Sequence, residues 1–122
     1  MGKNKLDISR MIDSLKTDPD YCRIGMVASH LGVVRGMSIN GQEVKAVEVS
    51  FDREQIDIIV KETRALPGIV YVLIDFCEGL LAVGDDIMAV VVGGDTREHV
   101  FPVLISTVDR VKKEATHKRE VY

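Results

Sequence analysis

The 122-residue sequence contains no tryptophan, and aromatic residues make up only 5% of it. A chain this poor in rings cannot interleave basic and aromatic side chains into the stacking platform that binds single-stranded nucleic acid. Charge points the same way. Nineteen Asp and Glu outweigh sixteen Lys and Arg, and the formal net charge of −3 sets up a field that repels polyanions and anionic lipid alike. Neither nucleic acid nor a membrane is an expected partner, and any anion must be caught locally. No apolar run approaches the roughly 18 residues of a membrane span. The opening MGKNKLDISRMI lacks the apolar segment of a secretory signal. A cytoplasmic protein is expected. The initial Met1-Gly2 does not make a myristoylation signal, because Leu6 stands where that motif takes Ser or Thr.

Cysteine is scarce as well. Cys22 and Cys77 form no CxxC pair, and each sits beside strand-like residues, which points to buried free thiols rather than a disulfide or a metal site. His30, His99 and His117 show no ligand spacing with them, so neither a metal nor a cofactor is expected. Also missing are the P-loop, GxGxxG, GxSxG and HExxH patterns.

What is present is the balance of a folded globular protein, 46% hydrophobic and 29% charged residues. The length suits a single domain over residues 1–122. In KLDISRMIDSLKT (5–17) the residues Ile8, Met11, Ile12 and Leu15 recur at helical spacing, and the following DPD stops them. Cys22 to Val34 reads as a largely buried strand. RGMSINGQ supplies an Asn40-Gly41 turn, and EVKAVEVSF alternates, so two strands joined by a loop are expected. FDREQIDIIVKETRAL opens with Asp52 three residues before Gln55, a capping box, and then reads as a helix. PGIVYVLIDFC and DDIMAVVVGG are β-branched strands, with EGLLAVGD between them as a connector. A third helix runs from Arg97 to Lys113, its regular part delayed to about His99–Phe101, or bent, by Pro102. A short strand, Thr116 to Val121, ends the chain. The order lacks repeated strand-helix-strand alternation and predicts an α+β domain with a mostly antiparallel sheet and packed helices.

Three cationic places interrupt this pattern: Arg35 at the end of LGVVRG, Arg97 in GGDTREHVF, and the closing KKEATHKREVY with Lys112, Lys113 and Lys118. Singly, each reads as an ordinary solvated cation. Brought together, they would make a local basic pocket for a phosphate-bearing substrate, in which a lysine desolvated among like charges acts as acid, base or nucleophile.

The ordered set GMVASHLGVVRG, VKAVEVSF, GIVYVLIDFCEGLLAVGDDIMAVVVGGDTREHVF and HKRE resembles one family over roughly residues 5–120: the MoaE family, the large, catalytic subunit of molybdopterin synthase. The resemblance implies an α/β hammerhead-type fold with an added antiparallel subdomain. It also implies a sulfurtransferase that forms the dithiolene of the molybdenum or tungsten cofactor from cyclic pyranopterin monophosphate. The sulfur would come from the C-terminal thiocarboxylate of a small ubiquitin-like (MoaD-like) subunit. Large subunits would pair as a dimer, each binding one small subunit, to give a heterotetramer. Carried over by position, Lys118 matches the lysine at the reacting centre, and Lys112 matches a second, upstream lysine, with Lys113 left open for that role. Arg35 and Arg97 match the anion-binding arginines. Three residues depart from the family pattern: Thr96 stands for a histidine, His117 for a tryptophan and His30 for a phenylalanine. Thr96 keeps a hydroxyl for an anion, and His117 replaces a packing surface by a titratable ring. These departures leave an alternative, a non-catalytic scaffold of the same fold that docks the ubiquitin-like partner or a pterin without turnover.

Overall fold

The β-branched run at 86–94 is buried along most of its length because the chain covers it from both sides. The computed structural model describes residues 4–122; Met1 to Lys3, with the Met1-Gly2 opening, lie outside the described residues. Elements follow in the order α1 (Ile8–Ser14), β1 (Met26–Val33), β2 (Ala46–Phe51), α2 (Arg53–Arg64), β3 (Ile69–Phe76), β4 (Gly79–Ala82), β5 (Asp86–Gly94), α3 (Arg97–Glu114) and β6 (Thr116–Val121). One-turn 3₁₀ segments at Leu15–Thr17 and Tyr21–Arg23 link α1 to β1.

The strands form two three-stranded sheets, β1-β5-β3 and β4-β2-β6, with every pairing antiparallel. Successive side chains of β5 point to opposite faces. Met88, Val90 and Val92 join the main core, which α2, α3 and the second sheet complete, whereas Ala89 and Val91 pack under Met11 and Leu15. This double cover explains why the strand reads as an unbroken apolar run.

Local chemistry sets the helix ends. Asp7 accepts a hydrogen bond from the Arg10 amide at 3.0 Å, and Asp52 accepts one from the Gln55 amide at 3.1 Å. The capping box is only half formed. The Gln55 side-chain amide donates instead to Glu114 at 3.0 Å, and the Asp52 amide donates to the Ala115 carbonyl at 2.9 Å, so both tie α2 to the end of α3. Helix α3 begins at Arg97, ahead of Pro102. A proline costs only the bond to the Glu98 carbonyl, and Glu98 is exposed in the first turn, where water replaces the lost donor.

Several expectations change. EGLLAVGD is not a plain connector, since Gly79–Ala82 forms β4 and pairs with β2. Strands β1 and β2 do not pair with each other. The Asn40-Gly41 turn, with Gly41 at φ 81°, closes only the small bridge Met37–Glu43 inside their connection. The expected strand from Cys22 starts at Met26, and its first residues form the 3₁₀ turn, leaving Cys22 exposed and Cys77 half-buried, both as free thiols. Among the described residues, no helix is long and apolar enough to cross a membrane, and no group of three His, Cys, Asp or Glu could hold a metal ion.

Candidate active site

Two alternations and one helical phase decide which cations meet. In the β2–β6 ladder, Thr116, Lys118 and Glu120 lie opposite Phe51, Val49 and Val47. Directly opposed residues share a face, and those three β2 residues are in the buried core. Lys118 therefore projects from the inner face of its sheet, with Thr116 and Glu120 on either side. His117 and Arg119, opposite Ser50 and Glu48, fall on the outer face, where Arg119 reaches Glu48 at 3.4 Å.

On α3, Val108 and Val111 belong to the buried stripe. Lys112 follows Val108 by four residues and so stands at the edge of that stripe, while Lys113 is turned a further 100° or so away. The junction after the helix fixes the distance between the two lysine-bearing elements. Ala115 is fully buried and its amide donates to the Val111 carbonyl at 3.1 Å, and the Thr116 hydroxyl donates to the same carbonyl at 2.7 Å.

Arg35 is held by its neighbours. The Val34 amide donates to the Asp85 carbonyl at 2.9 Å, and the Val34 carbonyl accepts from the Gly84 amide at 2.8 Å. On the other side, the Gly36 carbonyl accepts from the Val44 amide at 3.0 Å. The turn that anchors Val34 is itself locked by the Asp85 carboxylate, which is buried and accepts from the Ala82 amide at 2.9 Å and from the Asn4 side chain at 3.0 Å.

These placements bring Arg35, Lys112 and Lys118 onto one cleft of about 490 Å³ between the two sheets, with Val47, Phe51, Ile87 and Met88 as its apolar floor. Glu120 is the one carboxylate on its wall, and the Thr116 hydroxyl and His30 also line it. Among the described residues no ion pair within 4 Å engages any of the three cations, in contrast to Arg97, whose guanidinium pairs with Glu98 at 3.1 Å. The lysines are exposed in the free chain rather than desolvated as the sequence suggested, because the cleft is open on one side. Burial, and after it the Lys112 ammonium, pushes the His30 ring below its ordinary value, and its Nε2 is buried with no hydrogen-bond partner.

Other expected site residues lie elsewhere. Thr96 and Arg97 stand at the start of α3, where Asp95 accepts from the Thr96 amide at 2.6 Å and meets His99 Nδ1 at 2.7 Å. Arg97 and Lys112 are fifteen residues apart on one helix, about 22 Å along its axis at 1.5 Å per residue. An arginine side chain cannot span that gap, so Arg97 does not reach the cleft of its own chain. Lys113 and His117 do not line it either. Glu120, Thr116 and Asp85 were not singled out from the sequence. The period-two pattern of THKREV carries the signal for the first two, once Lys118 is assigned inward.

The match to known proteins follows this geometry. The model of the MoaE protein family matches residues 1–114. The chain belongs to the MoaE family. Membership gives it the large-subunit role in molybdopterin synthesis, as a sulfur-transferring enzyme of molybdenum cofactor production. Molybdopterin cofactor biosynthesis protein E from Burkholderia multivorans ATCC 17616 is 28% identical, aligns over 97% of this chain and 86% of its own, and superimposes with a TM-score of 0.76. The molybdopterin synthase from Staphylococcus aureus is 20% identical over 82% of this chain and 76% of its own, with a TM-score of 0.71, and shares the fold. The same holds for a chain in the complex of subunits 1 and 2 of molybdopterin-converting factor from Helicobacter pylori 26695, 14% identical over 96% and 80%, with a TM-score of 0.71. No curated protein matches the sequence. The α+β architecture expected from the sequence is the fold of these neighbours.

Proposed function

We propose that the cleft binds cyclic pyranopterin monophosphate and receives the thiocarboxylate tail of a small ubiquitin-like subunit. The convergence of Arg35, Lys112 and Lys118 on a cleft of about 490 Å³ carries this reading. Arg35 presents a planar fork suited to phosphate oxygens. An acidic chain that repels polyanions at long range can still hold one phosphate where three unpaired cations face each other. The apolar floor suits a flat heterocycle.

In the transfer, the carrier's thiocarboxylate sulfur forms a new carbon–sulfur bond on the substrate as a carbon–oxygen bond of the same carbon breaks, the oxygen leaving on the opened ring phosphate at one carbon and as water at the other. Water then splits the acyl–sulfur bond, so the carrier leaves with an ordinary carboxylate and the sulfur remains on the pterin. Two carriers supply the two sulfurs of a dithiolene. Lys118, beside the apolar floor, donates a hydrogen bond to the oxygen on which charge builds, and Lys112 assists from the facing helix. Seating of the carrier tail closes the open side of the cleft and strengthens these interactions by excluding water.

Arg97 and Thr96 fit this scheme through a second copy of the chain. Arg97, Phe101, Ile105 and Lys112 share one side of α3, and Phe101 and Ile105 are 49% and 63% exposed. Two such helices crossing antiparallel near residues 104–105 would place Arg97 beside the partner's Lys112. That arrangement is isologous, as a two-fold dimer requires.

Purified protein mixed with a thiocarboxylated small subunit and the cyclic precursor is expected to yield the dithiolene pterin. Absence of product where a known synthase succeeds under the same conditions would sink the reading.

A further inference from the structure

Among the described residues lining the cleft, His30 is the one with a buried side-chain polar atom that no protein group serves. It lies on β1 opposite Val90, on the face that carries Met26, Ala28 and Val34 toward the main core and α3. Its ring therefore forms part of the cleft wall beside Lys112 rather than the outer surface. Two residues on, Gly32 has no side chain, and a β-carbon there would stand only 3.6 Å from Nε2, so the small residue leaves room beside that nitrogen. Among the described residues, His30 Nε2 is the only buried side-chain nitrogen or oxygen without a hydrogen-bond partner. Buried polar atoms in native structures nearly always have a partner, so an orphan on the wall of a binding cleft points to an occupant that supplies one.

We propose that His30 is a specificity-determining residue that hydrogen-bonds a polar edge of the bound heterocycle through Nε2, in a place where an apolar ring would offer contact only. The inference rests on the cleft being the substrate site. Burial and the neighbouring Lys112 ammonium keep the ring neutral at physiological pH, so one ring nitrogen donates and the other accepts. A neutral ring adds no fourth cation, which leaves phosphate recognition to Arg35 and the lysines and gives His30 a role in reading the heterocycle. Arg35, Lys118 and Glu120 also face the cleft, and none lies within hydrogen-bond distance of Nε2.

The test compares wild type, His30→Phe and His30→Gln in two measurements: calorimetric binding of cyclic pyranopterin monophosphate, and steady-state turnover with the thiocarboxylated carrier. A glutamine amide nitrogen can occupy the place of Nε2, and phenylalanine keeps only the ring. The expected result is about tenfold weaker binding and a correspondingly raised KM for His30→Phe, with kcat little changed, and recovery of most of that loss by His30→Gln. Inorganic phosphate, used as a second probe, should bind all three alike. Equal precursor binding by His30→Phe and wild type would overturn the proposal, and so would His30→Gln binding as poorly as His30→Phe while both melt like wild type. If wild type makes no product and binds no precursor, the assignment of the cleft fails instead, a result separable from equal binding by active variants.

Discussion

Lys118 stands directly across from Val49 in the β2–β6 ladder, a charged side chain set against a buried valine. The pairing is tolerable because β6 is an edge strand and the ammonium extends along the wall of an open cleft. Lys118→Ala should therefore lower the rate of dithiolene formation by at least about a hundredfold with little change in melting temperature. His117→Ala and Arg119→Ala, on the outer face, should remain within about twofold of wild type. Equal losses at 117, 118 and 119 would show that the strand only needs to be intact.

The same alternation shows how much was legible beforehand. THKREV reads as a strand, and a strand alone implies that Lys118 and His117 face opposite ways; which of them faces inward depends on Val47, Val49 and Phe51, dozens of residues away. Sheet pairing of that range leaves no local trace. For the same reason the two strands read as joined by a loop at Asn40-Gly41 gave no sign that they belong to different sheets. Strand β4 was missed because four residues with a leading glycine are too few to display a period. Arg35 and Lys118 stood out as cations interrupting the pattern and took their roles from the family resemblance, whereas His30 entered only as a departure from it. That a departure could leave an orphaned nitrogen in the cleft became visible with β1 placed against α3.

Helical phase separates the two lysines that the sequence left as alternatives. Lys112→Ala should reduce turnover by about tenfold or more, and Lys113→Ala should leave it near wild type, since only Lys112 borders the cleft. Steady-state assays of both variants with carrier and precursor check this directly. An inert Lys112→Ala would remove that residue from the mechanism.

A pair of large subunits sharing residues makes a complementation prediction. Arg97→Ala and Lys118→Ala homodimers should each be impaired. In a random mixture about half of the dimers are mixed, and one of the two sites in each mixed dimer carries neither substitution, so about a quarter of wild-type activity should return. No recovery after co-refolding would place Arg97 outside the catalytic assembly.

Stability should depend on pH through His30. Burial first, and then Lys112, hold its folded value below the ordinary 6.5. As pH falls, the unfolded chain takes up this proton before the folded one does. The contribution is therefore complete above about pH 6.5 and is lost as pH drops through the lower folded value. Urea unfolding between about pH 7.5 and pH 5 should show wild type losing stability more steeply than His30→Phe. Parallel slopes would mean that the ring is as easily protonated in the fold as in water.

Asp85 links stability to the position of Arg35. Its carboxylate accepts from the Ala82 amide and from Asn4, and its own carbonyl receives the Val34 amide next to Arg35. Asp85→Ala removes the buried carboxylate to which the Ala82 amide and Asn4 donate, and because hydrogen bonds to a charged group are worth more than neutral ones, a loss of about 2 kcal/mol is expected in chemical denaturation. The effect on function should be distinct from this loss. With the turn loosened, Arg35 is no longer fixed over the cleft, and KM for the precursor should rise in protein that is still fully folded at the assay temperature. If the stability is lost while KM stays at the wild-type value, Arg35 is held by Val44 and Gly36 alone, and Asp85 serves only the packing of β4 and β5.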